Sequence, residues 1–115
     1  AEDNPINLNS YTDYLTAKGY RVIQAINGYE AIERAQAMKP DLILMDIQMP
    51  ALDGLEAIRR LRVLPEFSQT PIIALTALAM PGDRERCLAA GANAYLAKPV
   101  SLKVLIKEIE RLLGK

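Results

Sequence analysis

Apolar residues recur at two spacings along this chain, every three or four positions in some stretches and in short unbroken runs in others, and the two alternate from end to end. Asn4 is a helix-capping residue and Pro5 suits a first helical turn. Ile6, Tyr11, Tyr14 and Leu15 then supply an apolar face, with Leu8 slightly off it, until Lys18-Gly19 ends a helix over residues 5–18. Residues 20–25 read as a short strand with Val22 and Ile23 inward and Arg21 and Gln24 polar, a mixture suited to a sheet edge. Asn27-Gly28 turns the chain into a second helix over residues 29–38, where Ala31, Ile32, Ala35 and Met38 keep helical spacing before Lys39-Pro40 closes it.

Leu42-Ile43-Leu44-Met45 is too short a run for a helix and reads as a strand buried on both faces, as in a parallel sheet covered by helices. It ends on a carboxylate, Asp46, and the strand must stop by Pro50 and the turn at Asp53-Gly54. Leu55, Ile58 and Leu61 mark a third helix with Arg59, Arg60 and Arg62 on its wet side, a basic run better explained by a solvated face than by nucleic acid. Residues 65–70 form a loop, and residues 71–77 form a second doubly buried strand that ends on the hydroxyl of Thr76. A fourth helix over residues 82–90 has little apolar content and is followed by Gly91, so it is expected to be the most loosely held. Residues 94–97 are the last strand and lead into Lys98-Pro99. Ser101 caps a final helix striped by Leu102, Leu105, Ile109, Leu112 and Leu113. Such an alternation calls for an α/β fold, a doubly wound parallel sheet with helices on both faces and right-handed crossovers.

A length of 115 residues suits one domain, residues 1–115. The 14 basic and 14 acidic side chains balance, which gives no electrostatic case for direct binding of nucleic acid or an anionic membrane. One cysteine, Cys87, excludes an internal disulfide. Without a signal peptide or long apolar span in the sequence, a soluble cytoplasmic setting is expected. Cys87 lies in a helical pattern beside Leu88, Ala89 and Ala90, where a buried, inert thiol is the reading. The chain has no histidine, which removes histidine-based acid–base catalysis and metal ligation and means that it cannot itself carry a phosphohistidine.

Open α/β sheets place their chemistry in the crevice beyond the carboxyl ends of the strands. Three strand ends and the start of the chain therefore offer Glu2, Asp3, Asp46, Thr76 and Lys98 to one crevice. Taken singly, each has a plain structural explanation: a strand-end cap, a β-branched strand residue, a snorkelling lysine, acids that complement a helix dipole. Taken together, they resemble the receiver domain of two-component response regulators, most closely the receivers of hybrid sensor histidine kinases. The matching pieces are Glu2-Asp3-Asn4, Asp46 with Met49-Pro50 and Asp53-Gly54, Leu75-Thr76-Ala77, Lys98-Pro99, and Tyr95 at the aromatic switch position.

That resemblance implies a flavodoxin-like sheet and a phosphoacceptor role. Asp46 would take a phosphoryl group from a phosphohistidine on a histidine kinase or histidine phosphotransfer domain. Two like charges ~4 Å apart cost about 4 kcal/mol at an effective dielectric of ~20, so Mg²⁺ would have to neutralise the site. Asp3 and Asp46 would bind it directly, Glu2 through water and Gln48 through its main-chain carbonyl. Lys98 would pair with a phosphoryl oxygen, and Thr76 would hydrogen-bond it and free space for Tyr95 to rotate, so that the fourth helix, last strand and last helix read out the state. The same face, or strand exchange, would serve a homodimer. The Lys98-Pro99 bond is expected to be cis. The domain would be no classical enzyme by itself, only a self-phosphorylating and self-dephosphorylating acceptor whose parent protein could be a hybrid histidine kinase.

One departure has consequences for the fold. In the family a hydrophobic strand leads into the acidic pair, and here Ala1 comes first. The central slot, between residues 20–25 and the Asp46 strand, should therefore be empty unless the sheet closes to four strands or another chain, or residues outside this sequence, fill it. Metal affinity then rests on how Glu2 and Asp3 are anchored. Glu2 stands where the family often has aspartate. Two other functions compete: a pseudo-receiver that binds a protein partner without phosphorylation, and a flavodoxin-like electron carrier. The carrier would need phosphate-binding hydroxyls and glycines where this chain has Glu2-Asp3.

Overall fold

Each expected helix forms, and the reasons are local. In the computed structural model, which describes residues 1–77 and 80–114, Asn4 caps α1 (Pro5–Ala17) by accepting from the Ile6 and Asn7 amides. Asn27 caps α2 (Gly28–Met38) through Glu30, and Asp53 caps α3 (Gly54–Arg62) through Glu56. The two shorter-range surprises are Ser101, which stands before α5 (Leu102–Leu113) without a side-chain capping bond, and the 65–70 loop. That loop winds one 3₁₀ turn, Pro65–Phe67, so that Phe67 is buried.

Three parallel strands make up the sheet among the described residues: β1 (Ile43–Asp46), β2 (Ile72–Thr76) and β3 (Ala94–Ala97), in that spatial order. The register places Asp46 opposite Leu75 and Thr76 opposite Ala97. β2 is central and buried throughout, and its side chains alternate between two cores. Ile72 and Ala74 pack with Met45, Ile58, Leu61 and Cys87, beneath α2, α3 and α4 (Asp83–Ala90). Ile73 and Leu75 pack with Leu15, Leu105 and Ile109, beneath α1 and α5. Helices thus cover both faces, as the unbroken apolar runs require.

The expected strand at residues 20–25 does not form, and the sheet does not close to four strands. A cavity of about 880 Å³ separates that segment from β1, lined by Tyr11, Val22, Ile23, Ala35, Leu44 and Leu75, among others. Among the described residues, the chain start bridges it. The Ala1 amino group donates to the Leu44 carbonyl (2.6 Å), the Asp46 amide donates to the Ala1 carbonyl (3.1 Å), and the Glu2 amide donates to the Ala25 carbonyl (2.9 Å). A strand exists by virtue of its neighbour, and residues 20–25 have one ladder bond to Glu2 where a whole strand would stand.

Two further expectations need correction. Ile6 is 76% exposed and takes no part in the apolar face of α1. Arg62 is not on the wet side of α3: its guanidinium donates to the carbonyls of Gly91 (2.9 Å), Phe67 (2.5 Å) and Thr70 (2.7 Å) and to Asn93 Oδ1 (2.7 Å). It ties the α3–β2 and α4–β3 connections together at the end of the sheet opposite Asp46.

Candidate functional site

At the carboxyl edge of the sheet, three strand ends deliver their last side chains to one place. Asp46 closes β1, Thr76 closes β2, and Lys98 follows β3, its amide bonded to the Thr76 carbonyl (2.7 Å). The Lys98-Pro99 peptide bond is cis, as expected. Beyond Asp46 the chain reverses sharply, with Ala51 in a left-handed backbone conformation (φ 67°) and the Gly54 amide returning to the Ile47 carbonyl (3.3 Å). Gly54 is needed for close approach: a Cβ there would collide with the Asp46 carbonyl and come within 2.7 Å of Ile47 Cα. The turn residues seen in the sequence thus press α3 against the strand end that carries the acid.

The charges are gathered tightly. Lys98 Nζ donates to Asp46 Oδ2 at 2.8 Å and to Glu2 Oε1, and its side chain is only 12% exposed. Glu2 and Asp46 are buried, whereas Asp3 is exposed. The second oxygens of the buried pair are also held, Asp46 Oδ1 by the Gln48 amide (2.9 Å) and Glu2 Oε2 by the Asn4 amide (3.1 Å). Burial alone would lower the Lys98 pKa, but hydrogen bonds and charge attraction from Asp46 and Glu2 outweigh it and raise the ammonium above its ordinary value. The Ala1 amino group responds the other way: burial dominates and brings it down from 8.0 to about 6. The cluster thus gathers three carboxyl groups around the single side-chain ammonium of Lys98.

That imbalance is the chemistry of a cation site. Glu2, Asp3 and Asp46 each offer an oxygen, all within 4.8 Å of one another, and an all-oxygen set of this charge fits a hard divalent ion such as Mg²⁺. The exposed Asp3 is the member most open to a hydrated ion. Glu2, with both oxygens engaged, suits contact through water.

The site residues expected from sequence are brought together in part by direct contact. Glu2, Asp46 and Lys98 form one ion-paired cluster, with Asp3 at its rim. Thr76 is fully buried and joins through Gln48, whose side-chain nitrogen donates to Thr76 Oγ1 (2.6 Å). Tyr95 is partly buried and packs against the core beneath α3 and α4. What sequence reasoning missed is the side chain of Gln48, which also accepts from the Ala77 amide (3.0 Å). Gln48 drew notice only for its main-chain carbonyl, because nothing local in the sequence tells which neighbouring strand its amide meets.

With this geometry in place, comparisons with known proteins agree on its kinship. The profile of the response regulator receiver domain matches residues 1–110. The polar-differentiation response regulator DivK of Brucella anthropi is 44% identical over 113 residues, 98% of this chain and 92% of that protein. DivK of Brucella ovis is 43% identical over the same span. Among solved structures, the receiver domain of a sensor histidine kinase from Pseudomonas aeruginosa PAO1, described with a magnesium ion coordinated in its active site cleft, superposes with a TM-score of 0.92 at 43% identity. It covers 100% of this chain and 94% of its own. The chemotaxis protein CheY4 of Vibrio cholerae gives 0.91 at 31% identity, covering 96% of this chain and 92% of its own. An open, flavodoxin-like parallel sheet, an acid at its carboxyl edge and relatives at this identity lead to one conclusion: the chain belongs to the response regulator receiver domain family.

Proposed function

We propose that this chain is a single phosphoacceptor domain that works in the cytoplasm, taking a phosphoryl group from a phosphohistidine on a histidine kinase or histidine phosphotransfer domain. The observation that carries this reading is the Lys98 ammonium 2.8 Å from Asp46 Oδ2 inside a cluster of three carboxylates. A carboxylate oxygen of Asp46 attacks phosphorus. The P–N bond breaks, its electron pair stays with the imidazole, and an acyl phosphate forms. Lys98 then transfers its pairing from the carboxylate to a phosphoryl oxygen, which stabilises charge as it develops. Asp3, Asp46, the main-chain carbonyl of Gln48 and Glu2 are the groups that would hold a Mg²⁺ ion, which would supply the positive charge needed for a dianion to approach these acids. Thr76 follows the phosphoryl group, Tyr95 rotates into the space released, and the face formed by α4, β3 and α5 presents the change to a partner or a second copy.

Incubation with acetyl phosphate and Mg²⁺, followed by intact-mass measurement, tests the reading. Wild type is expected to gain one phosphoryl group and Asp46→Ala none. No mass gain in wild type over its own untreated mass would instead leave a receiver fold that binds its partner without phosphorylation.

A further inference from the structure

Gln48 bridges the two strand ends on which the phosphoacceptor reading depends. Its main-chain amide holds Asp46 Oδ1 (2.9 Å), while its side chain reaches across to β2 and grips both Thr76 Oγ1 (2.6 Å) and the Ala77 amide (3.0 Å). The orientation of the side-chain amide is fixed by its partners. A main-chain N–H can only donate, so the Gln48 carbonyl oxygen must face Ala77, and the NH₂ group is left for the threonine oxygen. Ala77 is otherwise exposed, so a neutral side chain holds an N–H at the mouth of the crevice.

We propose that the Gln48 side chain is a latch on the switch: it holds Thr76 and the Ala77 amide in the resting arrangement and must release both when Asp46 is phosphorylated. The inference rests on the phosphoacceptor reading and deepens it. A phosphoryl group on Asp46 brings three acceptor oxygens to the end of the sheet where Thr76 and Ala77 lie. Charged acceptors form hydrogen bonds roughly twice as strong as neutral ones, so the phosphoryl group outcompetes the amide for the same groups. Every contact that the latch makes is then lost on activation, and its strength sets how readily the domain accepts phosphate. Gln48 acts here as a positioning residue, through Thr76 and Ala77.

Two variants and two readouts test this. Gln48→Met keeps the length of the side chain and removes both bonds; Gln48→Glu keeps an acceptor for Ala77 and loses the donor to Thr76. Hydrogen exchange at Ala77, followed by amide NMR on the unphosphorylated protein, is expected to be about tenfold faster in Q48M, the worth of one intramolecular hydrogen bond, and close to wild type in Q48E. The same spectra show that each variant is folded. Phosphorylation of Asp46 by acetyl phosphate with Mg²⁺ is expected to be several-fold faster in Q48M than in wild type. Unchanged exchange at Ala77 in Q48M, or faster exchange with no gain in phosphorylation rate, overturns the latch while wild type still accepts phosphate. If neither wild type nor Q48M gains a phosphoryl group, the phosphoacceptor reading fails and the latch has nothing to release, a result distinct from the other two.

Discussion

Lys98 shows how much one side chain can carry. It lies almost wholly inside the protein between Glu2 and Asp46, so removing it strands two buried carboxylates. Breaking a buried pair by deleting one partner typically costs about 3–5 kcal/mol. Lys98→Ala should therefore melt well below wild type, and millimolar Mg²⁺ should recover more stability in the variant than it adds to wild type, because the ion replaces the missing charge. Equal responses to Mg²⁺ in thermal melts would contradict this. The ammonium has its pKa raised in the folded state, so its stabilising effect is complete below the unfolded value of 10.5 and is lost only as pH climbs through the folded one. Lys98 consequently adds no pH dependence near neutrality. That Lys98 and Asp46 lie at one sheet edge was legible from order in the chain, whereas their direct ion pair and the reach of Gln48 to Thr76 and Ala77 were not.

At the level of elements, the helices were readable because their signals are local. Asn4 caps where the sequence places a cap, and Asn27 and Asp53, expected as turn residues, cap as well, each satisfying amides within three residues, whereas Ser101 makes no side-chain capping bond. Arg62 was misread for the opposite reason. Its four acceptors lie in segments 5 to 31 residues further along, and a helix-face argument does not see them. α4 has eight residues and little apolar surface, with Cys87 and Ala90 as its apolar anchors in the core. Cys87 is wholly buried, and burial raises its thiol pKa, partly offset by Arg86, so the native thiol is doubly protected. Labelling of Cys87 by a thiol reagent in increasing urea is expected to precede the loss of helical circular dichroism, because α4 opens before the rest. Coincident transitions would show α4 to be part of the cooperative core.

At the scale of the whole molecule, the 115-residue chain carries a cavity beside β1. The Ala1 amino group lies at its end, bonded to the Leu44 carbonyl, with a pKa of about 6 against 8.0 when exposed. The unfolded chain therefore binds more protons between pH 6 and 8, and stability must rise with pH across that window. Two units correspond to at most about 2.7 kcal/mol. Urea midpoints for the 115-residue chain are expected to climb from pH 6 to pH 8, and a flat profile would mean that the amino group is solvated. From the sequence alone came the alternation of helices with buried strands, helices on both faces of the sheet, the turn after Asp46 and the grouping of acid, hydroxyl and lysine at one sheet edge, because periodicity, turns and strand ends are properties of neighbouring residues. Only the tertiary structure decided that residues 20–25 form no strand, that a cavity lies between them and β1, that Arg62 reaches into the neighbouring loops and that Gln48 ties Asp46 to β2. Each of these depends on a partner distant in the chain, and hydrogen-bond donors and acceptors find such partners only once the backbone has placed them within reach.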